Sequence, residues 1–339
     1  MQSSVITFPE RYDLSGSATV DFALHRALAG TGLKIHPRMD TEEFMRSLTN
    51  NKIDLQLTFD LQNTGYIELA QLVWLLVLGR FCFAITGKGV RVVFPREQRI
   101  VDKFMSPWNF FEFFYDWGIP VSPLKETVEP FSPRNSLPIT RIAQVVDVQR
   151  TTRVLKKNRI RRHLNKNFGF QSDHLKAFVD SIVSEFCENI PLHSMDEGFI
   201  AIQMHVEAPN VYTAPDYEPK IDVIISDGGI GILQSLRKKE PRAYGNKSAS
   251  QALNDVLEGR VPQREGRQHG GIFRAKRDVQ KLGGAFTLST PFAMSTTYPN
   301  RLVFFEKQVF FPGTHIAMKI PRASFRGGLS DAGLSTDSL

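Results

Sequence analysis

Apolar and polar residues alternate over 52–59 (KIDLQLTF), the period-two signature of a half-buried strand. The apolar run at 67–78 predicts a buried helix. Strands are expected at 81–85 and 90–94 (VRVVF), parted by a turn at Gly87-Lys88-Gly89, and an aromatic-rich helix at 100–117. Further on, Leu175, Phe178, Val179, Ile182, Phe186 and Ile190 recur at helical spacing behind a cap at Asp173 and define one buried stripe. A hairpin-like pair of strands is expected at 199–206 and 220–226. A helix at 274–282 closed by Gly283-Gly284, a strand at 285–289 and a final strand after the turn at 312–314 complete the pattern. Strands alternating with helices place the chain in the α/β (α+β) class.

Composition adds the boundaries. With 42% hydrophobic and 23% charged residues the chain is a folded protein, and 339 residues suffice for two domains. Clustered prolines at 128–138 (VEPFSPRNSLP) read as a linker, giving units 1–135 and 136–323. The tail 324–339 lacks periodic apolar residues and is expected to be disordered. Two cysteines, Cys82 and Cys187, exclude a disulfide framework and a cysteine zinc module, and they suit a reducing compartment. The N-terminus shows no signal-peptide pattern. The apolar stretch 69–85 is interrupted by Gln71 and Arg80 and reads as core, so a cytoplasmic protein without a membrane span is expected.

Charge narrows the partners only slightly. A net +7 suits a nucleotide, a nucleic acid or an acidic protein. The basic segment holding Arg150, Arg153, Lys156, Lys157, Arg159, Arg161, Arg162 and Lys166 has no interleaved aromatic before Phe168. A solvated helix face is therefore preferred there to a nucleic-acid site.

The candidate chemistry lies in the second unit. Glu185, Asn189 and His193 are four residues apart and form a polar row beside the buried stripe. Asp227 ends a buried strand and opens Asp227-Gly228-Gly229-Ile230-Gly231-Ile232, which is neither a P-loop nor a Rossmann fingerprint. Gly270-Gly271 open a helix, where free N–H groups suit phosphate. Gly313-Thr314 precede the last strand.

That order of boxes resembles the GHKL ATPase superfamily, whose nucleotide-binding domain is the Bergerat fold, a two-layer α/β sandwich on a mixed sheet. The resemblance spans about residues 140–322. It implies an ATP and Mg2+ site in which Asn189 ligates the metal and Asp227 accepts a hydrogen bond from the adenine amino group. Gly229, Gly231 and Ile232 would lie beside base and ribose, Gly270 and Gly271 at phosphate, and Thr314 near adenine. Glu185 would be the catalytic carboxylate, taking a proton from water or a hydroxyl. Residues 233–268 would be a mobile lid. His193 follows Pro191, which removes a helix hydrogen bond, so a structural role is expected for it.

The first unit resembles the STAS-like domains of bacterial anti-sigma-factor antagonists. The phosphorylatable serine position of that family reads Gly65-Tyr66-Ile67, and Thr64 is out of register, so a docking role is expected. His163 and His174 lack the flanks of a histidine-kinase acceptor, and only a short tail follows the ATPase-like region. The resemblance thus implies a regulatory switch akin to anti-sigma-factor serine kinases, acting on a protein partner and compatible with a homodimer. A GHKL ATPase driving a conformational cycle and a non-catalytic nucleotide-binding module are the alternatives.

Overall fold

The computed structural model describes residues 2–13, 17–33, 35, 39–50, 53–97, 101, 105, 108–116, 136–157, 183–205, 220–261, 270–307 and 310–321. The stripe at 173–182, His163, His174, most of the 128–138 linker and the tail lie outside these residues.

Strands β1 (Gln2–Thr7), β3 (Leu55–Asp60) and β5 (Arg91–Val93) form a parallel sheet in that order. A short parallel pair, β2 (Arg11–Tyr12) and β4 (Tyr66–Ile67), lies beside it. Helices α1 (Ser17–Ala29), α2 (Thr41–Asn50), α3 (Leu69–Thr86) and α4 (Phe110–Asp116) connect and cover these strands. The strand expected at 81–85 is instead the second half of α3. Phe81, Cys82 and Ile85 continue its buried surface, and a helix apolar all round is one enclosed on all sides. Gly87 at φ 67 ends it, donating its N–H to Phe83 O, so the predicted turn is a helix cap.

The second half builds a seven-stranded sheet, here in spatial order: β11 (Arg301–Glu306), β10 (Ala293–Tyr298), β9 (Ala285–Thr290), β12 (His315–Pro321), β8 (Lys220–Asp227), β7 (Gly198–His205) and β6 (Ser136–Ile142). Each neighbouring pair is antiparallel, which corrects the expected mixed sheet. The reason is that β12 slots between β8 and β9. These two run the same way and would have been parallel neighbours. The linker reading also needs correction at its end, because Ser136, Leu137 and Pro138 belong to β6. Pro138 is tolerated there because β6 is an edge strand whose register shifts between Leu137 and Thr140.

Between β8 and β9 run α7 (Gly231–Lys239), α8 (Pro241–Tyr244), α9 (Ala249–Leu257) and α10 (Gly271–Lys281). Before β7 come α5 (Val145–Lys157) and α6 (Glu185–Asn189), the latter continued by a π-helical turn, Ile190–Ser194. In α5, Arg150 and Arg153 are exposed while Val148, Thr151 and Leu155 face inward. Much of the expected lid is packed structure. Leu236, Tyr244, Ala252, Leu253 and Leu257 are buried, and Ser248 and Gln251 close a capping box. Residues 262–269 of that segment are not described.

Both faces of the large sheet are covered. Ser226, His315 and Ser289 stand abreast on β8, β12 and β9. His315 meets Trp74 of α3, with ring centroids 5.2 Å apart. On the other face Phe286 meets Phe186 of α6. Phe81 also packs on Phe310, Phe113 on Phe199, and Lys307 reaches Asp21 of α1 at 3.1 Å. Buried residues from both halves form one continuous cluster, so the chain boundary near residue 135 does not divide the core. Among the described residues α3 is long and apolar enough to cross a bilayer, and most of its surface is buried within the protein.

Candidate functional site

The site begins where β8 ends. Asp227 is 7% exposed, and its Oδ1 accepts the N–H of Gly229 at 2.9 Å and that of Thr314 at 3.2 Å. Its own N–H donates to Thr314 O at 3.0 Å. One carboxylate therefore ties the glycine loop after β8 to the turn before β12. Burial raises its pKa to about 7 against the two N–H bonds, which lower it; nearby Asp196 raises it further. No hydrogen bond reaches Oδ2 from the described residues.

The glycines answer to contacts a side chain would block. A Cβ on Gly229 would stand 1.9 Å from Ser194 O, and Ile230 donates its N–H to that same oxygen at 3.0 Å. Gly231 has φ 76 and lies against Pro291 and Thr290. The next residue, Ile232, is buried and donates its N–H to Thr290 Oγ1 at 3.0 Å. Gly313 has φ 84, and a Cβ there would stand 1.8 Å from Asp227 O. Gly313→Ala is expected to cost about 2 kcal/mol or more in stability by urea unfolding, since both the conformation and the backbone neighbour resist it. An unchanged midpoint would show that the turn can yield.

A second cluster forms at the N-terminus of α10. Gly270 is its N-cap, and Gly271 opens the helix directly against Glu185, whose Cδ would lie 2.0 Å from a Cβ at that position. Arg274 Nη2 donates to Glu185 Oε2 at 2.9 Å. The carboxylate thus occupies the favourable anion position at a helix N-terminus and is held there by a guanidinium.

One helix joins the two clusters. Glu185 of α6 touches Gly271, while Ser194, nine residues on, touches Gly229. At roughly 1.5 Å per residue this spans about 13 Å. Half-buried Asn189 lies between the two ends. Pro191 sits in the first turn of the π-helical segment that continues α6, where its missing N–H is tolerated. His193 lies 3.2 Å from Lys239 Nζ on the exposed side.

Asp196, Arg274 and Thr290, with the ion pairs that hold Asp196 in place, were not evident from the sequence. Asp196 packs against Gly228 and is held by Arg80 of α3, whose Nε lies 2.9 Å from Asp196 Oδ1. Arg80 Nη1 also pairs with Glu197, at 2.9 Å, and Arg141 holds the same carboxylate from β6. Arg274 and Thr290 complete the set. Arg274 had one signal, its place in the first turn after the glycine pair; Asp196 and Thr290 had none. Among the described residues no group of three His, Cys, Asp or Glu side chains could hold a metal. Comparison with protein-family models, with curated proteins and with solved structures gave no match.

Proposed function

We propose that the chain binds an adenine nucleotide at Asp227 and acts as a nucleotide-dependent regulatory switch resembling the anti-sigma-factor serine kinases. The observation that carries this reading is the buried Asp227 carboxyl, fixed through Oδ1 by Gly229 and Thr314 while Oδ2 takes no hydrogen bond from the described residues and becomes an open acceptor once the group ionises above about pH 7. An exocyclic amino group suits such an oxygen, and a site built for one donor rejects analogues that lack it.

The Bergerat-type reading of the fold rests on the helix that spans both clusters and on the crossover between β8 and β9. Phosphate arriving at the N-terminus of α10 would compete with Glu185 for Arg274 and for the free N–H groups. That competition gives the ligand a means of moving α6 against α10. It favours a switch over steady hydrolysis, because the candidate base Glu185 is paired with Arg274. Asn189 supplies an amide oxygen between the clusters, so Mg2+ would be held by that oxygen together with phosphate oxygens. The ion would neutralise phosphate charge when bound.

Calorimetric titration with ATP and Mg2+, followed by phosphate-release and transfer assays on the same sample, tests the reading. The expected result is binding, weakened by Asn189→Ala when Mg2+ is present, with phosphate release slow or absent. Rapid release abolished by Glu185→Ala would favour the ATPase alternative. Binding with neither turnover nor a change in α6 would favour a passive module. Absence of binding would end the proposal.

A further inference from the structure

We infer that the free edge of the seven-stranded sheet is a homodimer interface, in which β11 pairs antiparallel with β11 of a second copy. This stands on β11 alone and does not depend on the nucleotide reading.

Among the described residues β11 pairs only with β10. Lys307 donates its N–H inward to Phe292 O at 2.8 Å, in register with the β10–β11 ladder. By the two-residue period, Arg301, Val303 and Phe305 also direct their backbone groups to β10. Leu302, Phe304 and Glu306 present theirs to the open side. Leu302 is 44% exposed and Phe305 48% exposed, and they lie on opposite faces of the strand. An edge strand apolar on both faces is a template for another strand. The usual defences are missing here. The register with β10 has no bulge, no proline lies within the strand, and its only charges are Arg301 and Glu306 at the two ends.

The strand is complementary to itself. Antiparallel pairing centred on Val303 sets Leu302 against the partner's Phe304 and Arg301 against the partner's Phe305. The first is an apolar pair within the hydrogen-bonded ladder; the second places a guanidinium on an aromatic ring. Shifting the centre to Phe304 would oppose Leu302 to the partner's Glu306 and Arg301 to the partner's Lys307. The register centred on Val303 is therefore preferred to the one centred on Phe304. It would join two seven-stranded sheets into one continuous sheet across a two-fold axis.

Sedimentation equilibrium of the full chain tests this. The wild type should sediment as a dimer. Leu302→Pro removes an outward N–H without touching the β10 ladder, and Phe305→Lys places charge on the exposed face. Each should raise the dimer dissociation constant by at least about tenfold. Phe22→Lys, at an apolar residue exposed elsewhere (58%), should leave it unchanged. Amide exchange at Leu302 and Phe304 should be slow in the dimer and fast in the variants. A monomeric wild type, a dimer indifferent to Leu302→Pro, or equal loss in Phe22→Lys would each overturn the inference.

Discussion

Asp227→Asn is expected to abolish adenine-nucleotide binding while leaving the fold as stable as the wild type or more so at pH 8. The asparagine Oδ1 can still accept the N–H groups of Gly229 and Thr314, so the join between the glycine loop and the β12 turn survives. Its amide nitrogen replaces the open oxygen, however, and sets a donor against a donor. The stability gain follows from proton linkage. In the native state burial holds the Asp227 pKa at about 7, well above the usual carboxylate range. Between about pH 4 and pH 7 the native state keeps a proton that the unfolded chain has lost. Wild-type stability should therefore fall by a few kcal/mol as pH rises through that window and level off above it. The variant should show no such fall from this position. Urea unfolding from pH 4 to 8, paired with calorimetry, reads both effects. A variant that binds ATP normally, or one that is severely destabilised at pH 8, would contradict the assignment.

Trp74→Ala should cost about 3–5 kcal/mol, as large core truncations do, and should lower the unfolding of the whole chain in one transition. Trp74 is 1% exposed and lies against His315 and Phe311, so it belongs to α3 by sequence and to the large sheet by packing. Burial, with a smaller push from Lys307, drives the His315 pKa down to about 3, and its Nε2–H donates to Pro312 O at 2.7 Å. A neutral ring is thus built into this junction. The effect should also reach the glycine loop, because Val77 and Arg80 of the same helix abut Gly228 and Asp196. Circular dichroism during thermal unfolding is the readout. Two transitions, with the later one unmoved by the substitution, would show that the halves fold independently.

The contrast between these two sites shows what the sequence made legible. Glycines after β8 and before β12 could be recognised because only glycine satisfies close backbone approach at Gly229 and positive φ at Gly231 and Gly313. Asp227 stood out because a carboxylate ending a buried strand needs a reason to be there. The Glu185–Arg274 pair was hidden, since its members are far apart in sequence and neither belongs to a periodic pattern. Strand direction was hidden as well. Residues that form a buried strand do not state which neighbour they will meet, so the insertion of β12 between β8 and β9 was not readable. The second half of α3 reads as a strand from its local pattern, because a short apolar run fits a buried strand and a buried helix equally. Its burial on the large sheet, rather than its local pattern, resolves the choice.

Parallel calorimetric titrations with ATP and inosine triphosphate test most directly whether the open oxygen of Asp227 reads an amino group. The two nucleotides share ribose and triphosphate and differ at the purine 6-position, where inosine carries a carbonyl oxygen. At pH 8, where Asp227 is ionised, ATP is predicted to bind at least about a hundredfold more tightly, because the inosine carbonyl would then face a buried carboxylate without a donor between them. Equal affinity for the two would contradict the claim that this aspartate recognises adenine.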